Sequence, residues 1–334
     1  MTTPAPLKFL QPGWFSLVMG LVGLALAWRS ASPLLGDMAH GVALVVGGLA
    51  VLTFGVLAVA SLVRWQRHPE ALEDDLKHPV RHAFVATVPV SLLLLATLAH
   101  ALGFGGPAIQ GLWFLGSLLQ GWATLWVLGR WLAPIPGGAG ALWPSITPVL
   151  FIPVVGNVVA PLAGVGLGAP TWAAAQFGVG LLFWPLVLML VLVRRIGHSA
   201  LPDRLLPTWA ITLAPPAVVG LCLMVFGAPS TVVLAFWGMG LFTLLWVGAQ
   251  GTRMISQPFS IAFWAWSFPL AAFTTLTLQL GTALDSQGFQ TAGLVMLAIT
   301  SLVVFALGLA TVRGLRQGTL LTAEPVATII PASQ

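Results

Sequence analysis

The stretch SIAFWAWSFPLAAFTTLTLQLG, residues 260–281, contains no charged residue and carries Pro269 close to its centre. Its length matches the roughly 20 apolar residues that cross the hydrocarbon core of a bilayer. A proline at membrane depth removes one backbone hydrogen bond and bends the helix, and the freed carbonyl is tolerated only beside protein or water. The stretch therefore predicts a bent membrane helix that borders a cavity.

Similar stretches recur along the chain and predict an all-α membrane protein. Of the 334 residues, 58% are hydrophobic and 6% are charged, a composition typical of polytopic membrane proteins. Ten membrane-spanning segments are predicted, at residues 13–35, 40–63, 80–101, 108–130, 146–166, 171–193, 207–227, 230–250, 260–281 and 289–312. We predict a single transmembrane domain, residues 1–334, that ends in a cytoplasmic tail at 316–334.

Proline is concentrated in the odd-numbered segments, whereas the even-numbered segments mostly lack it. The odd segments carry, at their start or inside them, Pro12, Pro89, Pro153, Pro215 with Pro216, and Pro269. We predict that the prolines from Pro89 onward kink these helices and that the kinked helices enclose a cavity, with straight even segments as a wall facing lipid. Short, nearly uncharged turns join the segments in pairs, which predicts five helical hairpins.

The basic residues predict the orientation of the chain. Of the 13 Lys and Arg residues, only Arg29 falls on the other side of the membrane when the ten segments are threaded. The positive-inside rule then predicts that both termini are cytoplasmic, in the plasma membrane or a bacterial inner membrane. These cations are scattered over loops beside the membrane and form no basic face with aromatic platforms, so nucleic acid is not an expected partner.

The centres of the predicted segments contain no Lys, Arg, Asp or Glu, which disfavours a proton-coupled pump with a central carboxylate. Neutral polar residues take their place, and the candidates for lining a pore are Ser16, Thr87, Ser91, Asn157, Thr212 and Ser267. Such side chains can replace the hydration shell of an ion, or they can bond to carbonyls freed by proline or bridge helices. The basic mouth would raise the local concentration of anions, so an anion is the expected cargo.

Five motifs, one on each odd segment, resemble a known family. They are PGWFSLVMG at 12–20, HPV at 78–80, VVGNV at 154–158, LAPPA at 213–217 and FWAWSFPL at 263–270. The chain is similar in these to the tellurite-resistance/dicarboxylate transporter family, which includes bacterial tellurite-resistance channel homologues, plant guard-cell slow anion channels, and fungal malate and sulfite carriers. The resemblance implies ten helices in five hairpins around a quasi-fivefold central pore, and a homotrimer within the lipid membrane.

The resemblance also implies a gate. Family members close the pore with a phenylalanine on the ninth helix, and the matching residue in this sequence is Phe268. An apolar ring at a constriction blocks ions because a hydrated anion would shed water without finding replacement donors. One departure is Ser16, which stands where the family commonly has a glycine after the aromatic pair. A hydroxyl there would narrow the path and add a donor.

Two functions follow as hypotheses. The first is a gated channel that passes small inorganic anions, and the alternative is a carrier or exporter of a C4-dicarboxylate, sulfite or a tellurium oxyanion. A dicarboxylate site would be expected to use a buried Arg or Lys, and the centres of the predicted segments contain none.

No arrangement of Ser, His, Cys or carboxylates suggests an enzyme, a cofactor or a metal centre. His68 and His78 lie beside carboxylates in the longest loop, where a solvated turn and a regulatory or metal-binding role are both open.

Overall fold

The chain forms an almost entirely helical membrane protein. The computed structural model describes residues 6–134, 138–198 and 200–322, so most of the predicted tail lies outside the described residues. The structure is 85% helical, and its described part contains no strand. Nine helices within these ranges are long and apolar enough to cross a bilayer. The prediction of an all-α membrane protein is therefore confirmed.

The nine helices correspond to nine of the ten predicted segments and keep their numbers here. Their bounds are Pro12–Ser30 (segment 1), Asp37–Arg67 (2), Arg81–Ala101 (3), Pro107–Leu132 (4), Pro170–Gly197 (6), Asp203–Val225 (7), Ser230–Gly248 (8), Ile261–Ala283 (9) and Gln287–Arg316 (10). Segment 5 is the shorter apolar stretch Pro148–Gly164. We call segments 1, 3, 5, 7 and 9 the inner segments and the others the outer segments.

Segment 5 is not the regular helix that the sequence predicts over 146–166. It passes from a 3₁₀ turn into a π-helical turn at Phe151–Val155, then into a second 3₁₀ turn and a short α-helix. Pro148, Pro153 and Pro161 interrupt the regular hydrogen-bond ladder. Irregular backbone at membrane depth needs donors from neighbouring helices. Gln120 of segment 4 supplies them, because its Nε2 lies 3.0 Å from the carbonyl oxygens of both Ile152 and Pro153.

Pro89, Pro215, Pro216 and Pro269, the predicted kink prolines of segments 3, 7 and 9, lie near a junction between two helix types rather than at the middle of a bent α-helix. Segments 3, 7 and 9 each begin with a 3₁₀ stretch and become α-helical at Thr87, Ala214 and Ser267. Pro89, Pro215, Pro216 and Pro269 occupy the first turn of these α-helical parts. A proline is tolerated there because the first-turn amides have no partner within the helix. Among the outer segments, segment 6 contains Pro185, an exception to the alternation.

Burial divides the helices into two layers. Within the apolar stretches of segments 1, 3, 7 and 9, between 67% and 78% of residues are buried, against 17% to 39% in the outer segments. Segment 1 packs against segments 3 and 9, segment 5 packs against segments 3 and 7, and segment 7 packs against segment 9. The inner segments thus contact one another in a closed sequence, and the first meets the last.

Small residues make the contact between segments 1 and 9 close. A methyl group added to Gly20 would lie 2.6 Å from Cβ of Ser267, and one added to Gly23 would lie 3.1 Å from Cδ2 of Phe268. Helix backbones in membranes approach in this way only where side chains are small. Gly20 and Gly23 therefore serve packing against segment 9.

Candidate functional site

A small cavity lies where the inner segments meet. It encloses about 70 Å³, the space of roughly two water molecules. Every inner segment contributes to its wall, through residues that include Ser16, Met19, Phe84, Val90, Val155, Val158, Thr208, Pro215, Trp264 and Phe268. We call this space the central cavity. Its described wall carries no charged residue, and its side-chain hydroxyls come from Ser16 and Thr208.

Ser16 is the first residue of the α-helical part of segment 1 and lies on the wall of the central cavity. Its Oγ is buried and has no hydrogen-bond partner among the described residues. The hydroxyl is therefore unpaired within the described part of the chain. A role as a pore-lining residue stays a prediction.

Phe268 is the second residue of the α-helical part of segment 9, and its side chain also lines the central cavity. The residue is 7% exposed, and its ring packs over Gly23 of segment 1. This arrangement puts an aromatic ring at the narrow space between the first and the last inner segment. Whether the ring acts as a gate stays a prediction.

The other predicted pore-lining residues are buried, form side-chain hydrogen bonds and are not part of the described wall of the central cavity. Thr87, Ser91, Thr212 and Ser267 donate to the carbonyl oxygens of Phe84, Thr87, Trp209 and Trp264 at 2.6 to 2.7 Å. Asn157 donates to Oγ1 of Thr124 at 2.7 Å and accepts from Nε2 of Gln176 at 3.0 Å. These contacts correspond to the other role open to such residues, which is bonding to backbone carbonyls or bridging helices.

A second and larger cavity adjoins the first. It encloses about 380 Å³, and Phe84, Ile261 and Ala262 contribute to the walls of both. We call it the basic vestibule, because its wall carries the ionisable residues Arg64, Asp75, His78, Arg81, Arg194 and Arg204. The neutral polar residues of the wall are Gln11, Ser260, Thr319 and Thr322. The loop between segments 2 and 3 folds into the helix Pro69–Lys77, which brings Asp75 to this wall.

Asp75 is the centre of a buried group of charges. It is 0% exposed, with Oδ2 2.7 Å from Nη2 of Arg64 and Oδ1 2.9 Å from Nη1 of Arg81. Burial raises the pKa of the Asp75 carboxyl group, and the two guanidinium groups oppose that shift. The two contacts favour the ionised form, because the carboxylate accepts a charge-assisted hydrogen bond from Arg64 and forms an ion pair with Arg81.

His78 is held in its neutral form. Its Nδ1 accepts hydrogen bonds from the amides of Val80 and Arg81, both at 3.1 Å. Burial, followed by repulsion from the charges of Arg81 and His82, lowers the pKa of His78 to about 4. Because Nδ1 is an acceptor in a neutral ring, Nε2 carries the hydrogen and is a donor.

The sequence pattern did not predict that two arginines of the vestibule are buried. Arg64 and Arg194 are 5% and 4% exposed, although the sequence assigned both to loops beside the membrane. Arg194 donates from Nη1 to the carbonyl oxygen of Ile146 at 2.7 Å. The signal that could have found Arg194 is its position one residue beyond the predicted end of segment 6. Helix ends are uncertain by one or two residues.

The described residues contain no group of three or more His, Cys, Asp and Glu side chains arranged to hold a metal ion. His68 instead lies with Nδ1 3.5 Å from Oε1 of Glu70. Cys222 is a buried free thiol.

Comparison with known proteins identifies the family. Residues 10–312 match the SLAC1 family, described as voltage-dependent anion channels. The chain is 23% identical over 324 residues to the S-type anion channel SLAH2 of Arabidopsis thaliana, covering 94% of this chain and 61% of the plant protein. It is 25% identical to the sulfite efflux pump SSU1 of Arthroderma otae, covering 89% of each chain. It is 26% identical to the tellurite resistance protein TehA homolog of Haemophilus influenzae, covering 81% of this chain and 80% of that protein.

These matches confirm the resemblance that the five motifs indicate. The three relatives are described as a channel, a pump and a resistance protein, in agreement with the expectation of transport rather than enzymatic activity. The charge-free cavity between the inner segments and the adjoining cluster of arginines fit the movement of anions across a membrane. The protein belongs to the SLAC1 family of membrane anion channels and transporters.

Proposed function

We propose that the protein is a gated anion channel whose pore runs along the axis of the inner segments and is closed by the ring of Phe268. The observation that carries the proposal is the central cavity, which has a neutral wall built by all five inner segments and opens beside a basic vestibule. Arginines at a mouth concentrate anions, and a neutral passage lets them leave again without tight binding.

The proposed architecture has ten spans, with segment 5 as a broken tenth span, forming five hairpins around a quasi-fivefold axis. The closed sequence of contacts among the inner segments and their burial support it. Both termini are proposed to be cytoplasmic, which puts the basic vestibule at the cytoplasmic mouth. A homotrimer is proposed from the family resemblance, and the mass of the purified protein in detergent, corrected for bound detergent, tests it.

Removal of the proposed gate tests the function. Phe268→Ala removes an aromatic ring from the wall of the central cavity, which now encloses about 70 Å³, so that a passing anion would keep more of its water shell. We expect anion flux into liposomes to rise at least about tenfold, which corresponds to a barrier lowered by about 1.4 kcal/mol.

Phe273→Ala is the matched control. Phe273 is a buried phenylalanine on the same helix, and it faces Gly240 and Trp237 of segment 8 rather than the described wall of the central cavity. We expect this variant to lose stability without gaining flux. An equal flux for wild type and Phe268→Ala, or an equal rise in both variants, would contradict a gate at Phe268.

A carrier for sulfite, a C4-dicarboxylate or a tellurium oxyanion is the second candidate. It is favoured by the buried Arg194 at the end of segment 6, because a carrier needs a site that recognises its substrate. Reversal potentials in a planar bilayer under chloride, nitrate, sulfite and malate gradients separate the two. A current that does not saturate as the anion concentration rises supports the channel. Uptake that saturates and carries no current supports the carrier.

A further inference from the structure

The wall of the basic vestibule holds several buried donors that have no acceptor. Nε of Arg81, Nε of Arg194, Nε2 of His78 and Oγ of Ser260 all lack a hydrogen-bond partner among the described residues. Two acceptors on the same wall, Oδ1 of Asp75 and Oε1 of Gln11, also lack a hydrogen bond there, although Oδ1 of Asp75 forms an ion pair with Arg81. Leaving a buried donor unpaired costs about 1 to 3 kcal/mol, and more when the donor is charged. Four such donors around one cavity are therefore unusual unless something else supplies their acceptors.

The positive charges of the vestibule are also incompletely balanced. Arg64 and Arg81 share the single carboxylate of Asp75. Arg194, which is 4% exposed, makes side-chain contacts to the carbonyl oxygens of Ile146 and Pro144 and has no carboxylate partner in the described part of the chain. A buried guanidinium without a counter-charge is expensive. An anion in the cavity would both accept the free hydrogen bonds and balance this charge.

We propose that the basic vestibule is a saturable binding site for a polyatomic oxyanion, held by Arg81, Arg194, His78 and Ser260. The assignment goes beyond the proposed channel, because it concerns a binding site at the mouth rather than the constriction and does not depend on Phe268. The arginines of the vestibule would then bind such an anion at the mouth, in addition to raising the local anion concentration.

The arrangement of the donors selects the class of ligand. They come from three separate places in the chain, the start of segment 3, the end of segment 6 and the approach to segment 9, and they surround a space of about 380 Å³. One halide ion would not reach donors spread over such a wall. An anion with several oxygens would, and guanidinium groups match the geometry of oxyanions.

Direct binding of sulfate to the purified full-length protein in detergent tests the site. We expect isothermal titration calorimetry in a buffer free of other oxyanions to give saturable binding at one site per chain. Arg194→Gln should weaken sulfate binding at least tenfold. Arg195→Gln is the matched control, because it removes the same charge from the next residue, which is exposed and outside the described vestibule wall. It should change the affinity less than twofold.

Two further variants keep the test meaningful if Arg194→Gln does not fold. Ser260→Ala removes one hydroxyl. His78→Asn removes the Nε2 donor, while its Oδ1 can still accept from the amides of Val80 and Arg81. Each should weaken sulfate binding about threefold to tenfold without changing the elution volume of the protein.

Competition identifies the ligand class. Displacement of sulfate by phosphate or succinate supports an oxyanion site, whereas displacement by chloride at equal concentration overturns it. Unsaturable sulfate binding, or equal affinities in Arg194→Gln and Arg195→Gln, also overturns the proposal. Flux through Phe268→Ala is measured separately, so the vestibule site and the channel can fail independently.

Discussion

The contact between segments 1 and 9 depends on Gly20, and replacing this residue by alanine is the sharpest test of how the inner segments pack. A methyl group at Gly20 would lie 2.6 Å from Cβ of Ser267 and 3.0 Å from Cε3 of Trp264. A Cβ atom is fixed by the backbone, and Ser267 is 0% exposed, so no rotamer change relieves the contact. Segments 1 and 9 would have to separate by about 1 Å to restore an ordinary van der Waals distance.

The expected cost follows from the size of this overlap. Overpacking of a tight contact costs about 1 to 3 kcal/mol. Alanine also favours a helix over glycine by about 1 kcal/mol, which offsets part of the loss. Gly48→Ala on segment 2 measures that gain alone, because nothing lies within 4 Å of a methyl group there.

A double variant isolates the contact. Ser267→Gly removes the side chain that Gly20→Ala would strike, at the cost of the hydrogen bond from Oγ of Ser267 to the carbonyl oxygen of Trp264. We expect the two substitutions to be less harmful together than the sum of the single effects, by about 1 to 2 kcal/mol. The free energy of unfolding, measured by titration with SDS in mixed micelles, gives the four values of the cycle.

Two outcomes would refute this reasoning. Gly20→Ala could be as well tolerated as Gly48→Ala, or the two substitutions at Gly20 and Ser267 could be additive. Either result would mean that segments 1 and 9 do not meet at this point, and the closed contact sequence of the inner segments would be lost with it.

Two other predictions concern stability. Gln120→Leu removes the donor to the carbonyl oxygen of Ile152 and should lower the free energy of unfolding by about 1 to 3 kcal/mol. Gln110→Leu, at an exposed site of the same helix, should lower it by less than half as much. Equal losses in the two variants would contradict the role given to Gln120. Because the folded protein lowers the pKa of His78 to about 4, the unfolded chain binds more protons between about pH 6.5 and 4, so stability falls as the pH is lowered through this range. After allowance for the partial exposure of His78, its contribution to the loss between pH 7 and 5 should be roughly 1 kcal/mol. In chemical denaturation, His78→Asn should lose less stability than wild type over this range by about that amount.

Much of the fold follows from composition and proline spacing. Segment 9 shows why, because a charge-free stretch of membrane length has few alternatives to a helix, and Pro269 at membrane depth excludes contact with lipid there. The same reasoning separates segments 1, 3, 7 and 9 from the outer segments, and the two groups differ in burial. It fails for segment 5, where several prolines and Gly156 fall so close together that only the donors of Gln120 and its neighbours determine the path of the backbone.

The candidate site was less predictable than the fold. Ser267 and Phe268 are adjacent, yet the ring of Phe268 lines the central cavity while the hydroxyl of Ser267 bonds to its own helix. Successive residues point about 100° apart around a helix, and the sequence does not fix the rotation of a helix that is apolar on every side. Arg194 was assigned to a loop, because the predicted segment 6 ends one residue before it. In the structure the helix continues to Gly197 and includes Arg194.

The separation between the two cavities has a physical reason. An anion moved into a neutral, narrow passage gives up water, and a fixed charge there would lower that barrier but hold the ion in place. Charges at a wide mouth do not hold the ion at the constriction, because their attraction declines with distance before the ion reaches it. The chain follows this arrangement, with arginines on the vestibule wall and the unpaired hydroxyl of Ser16 on the wall of the central cavity that Phe268 also lines. In the proposed function, control of passage falls to the ring of Phe268, and in the proposed vestibule site recognition of the anion falls to the mouth.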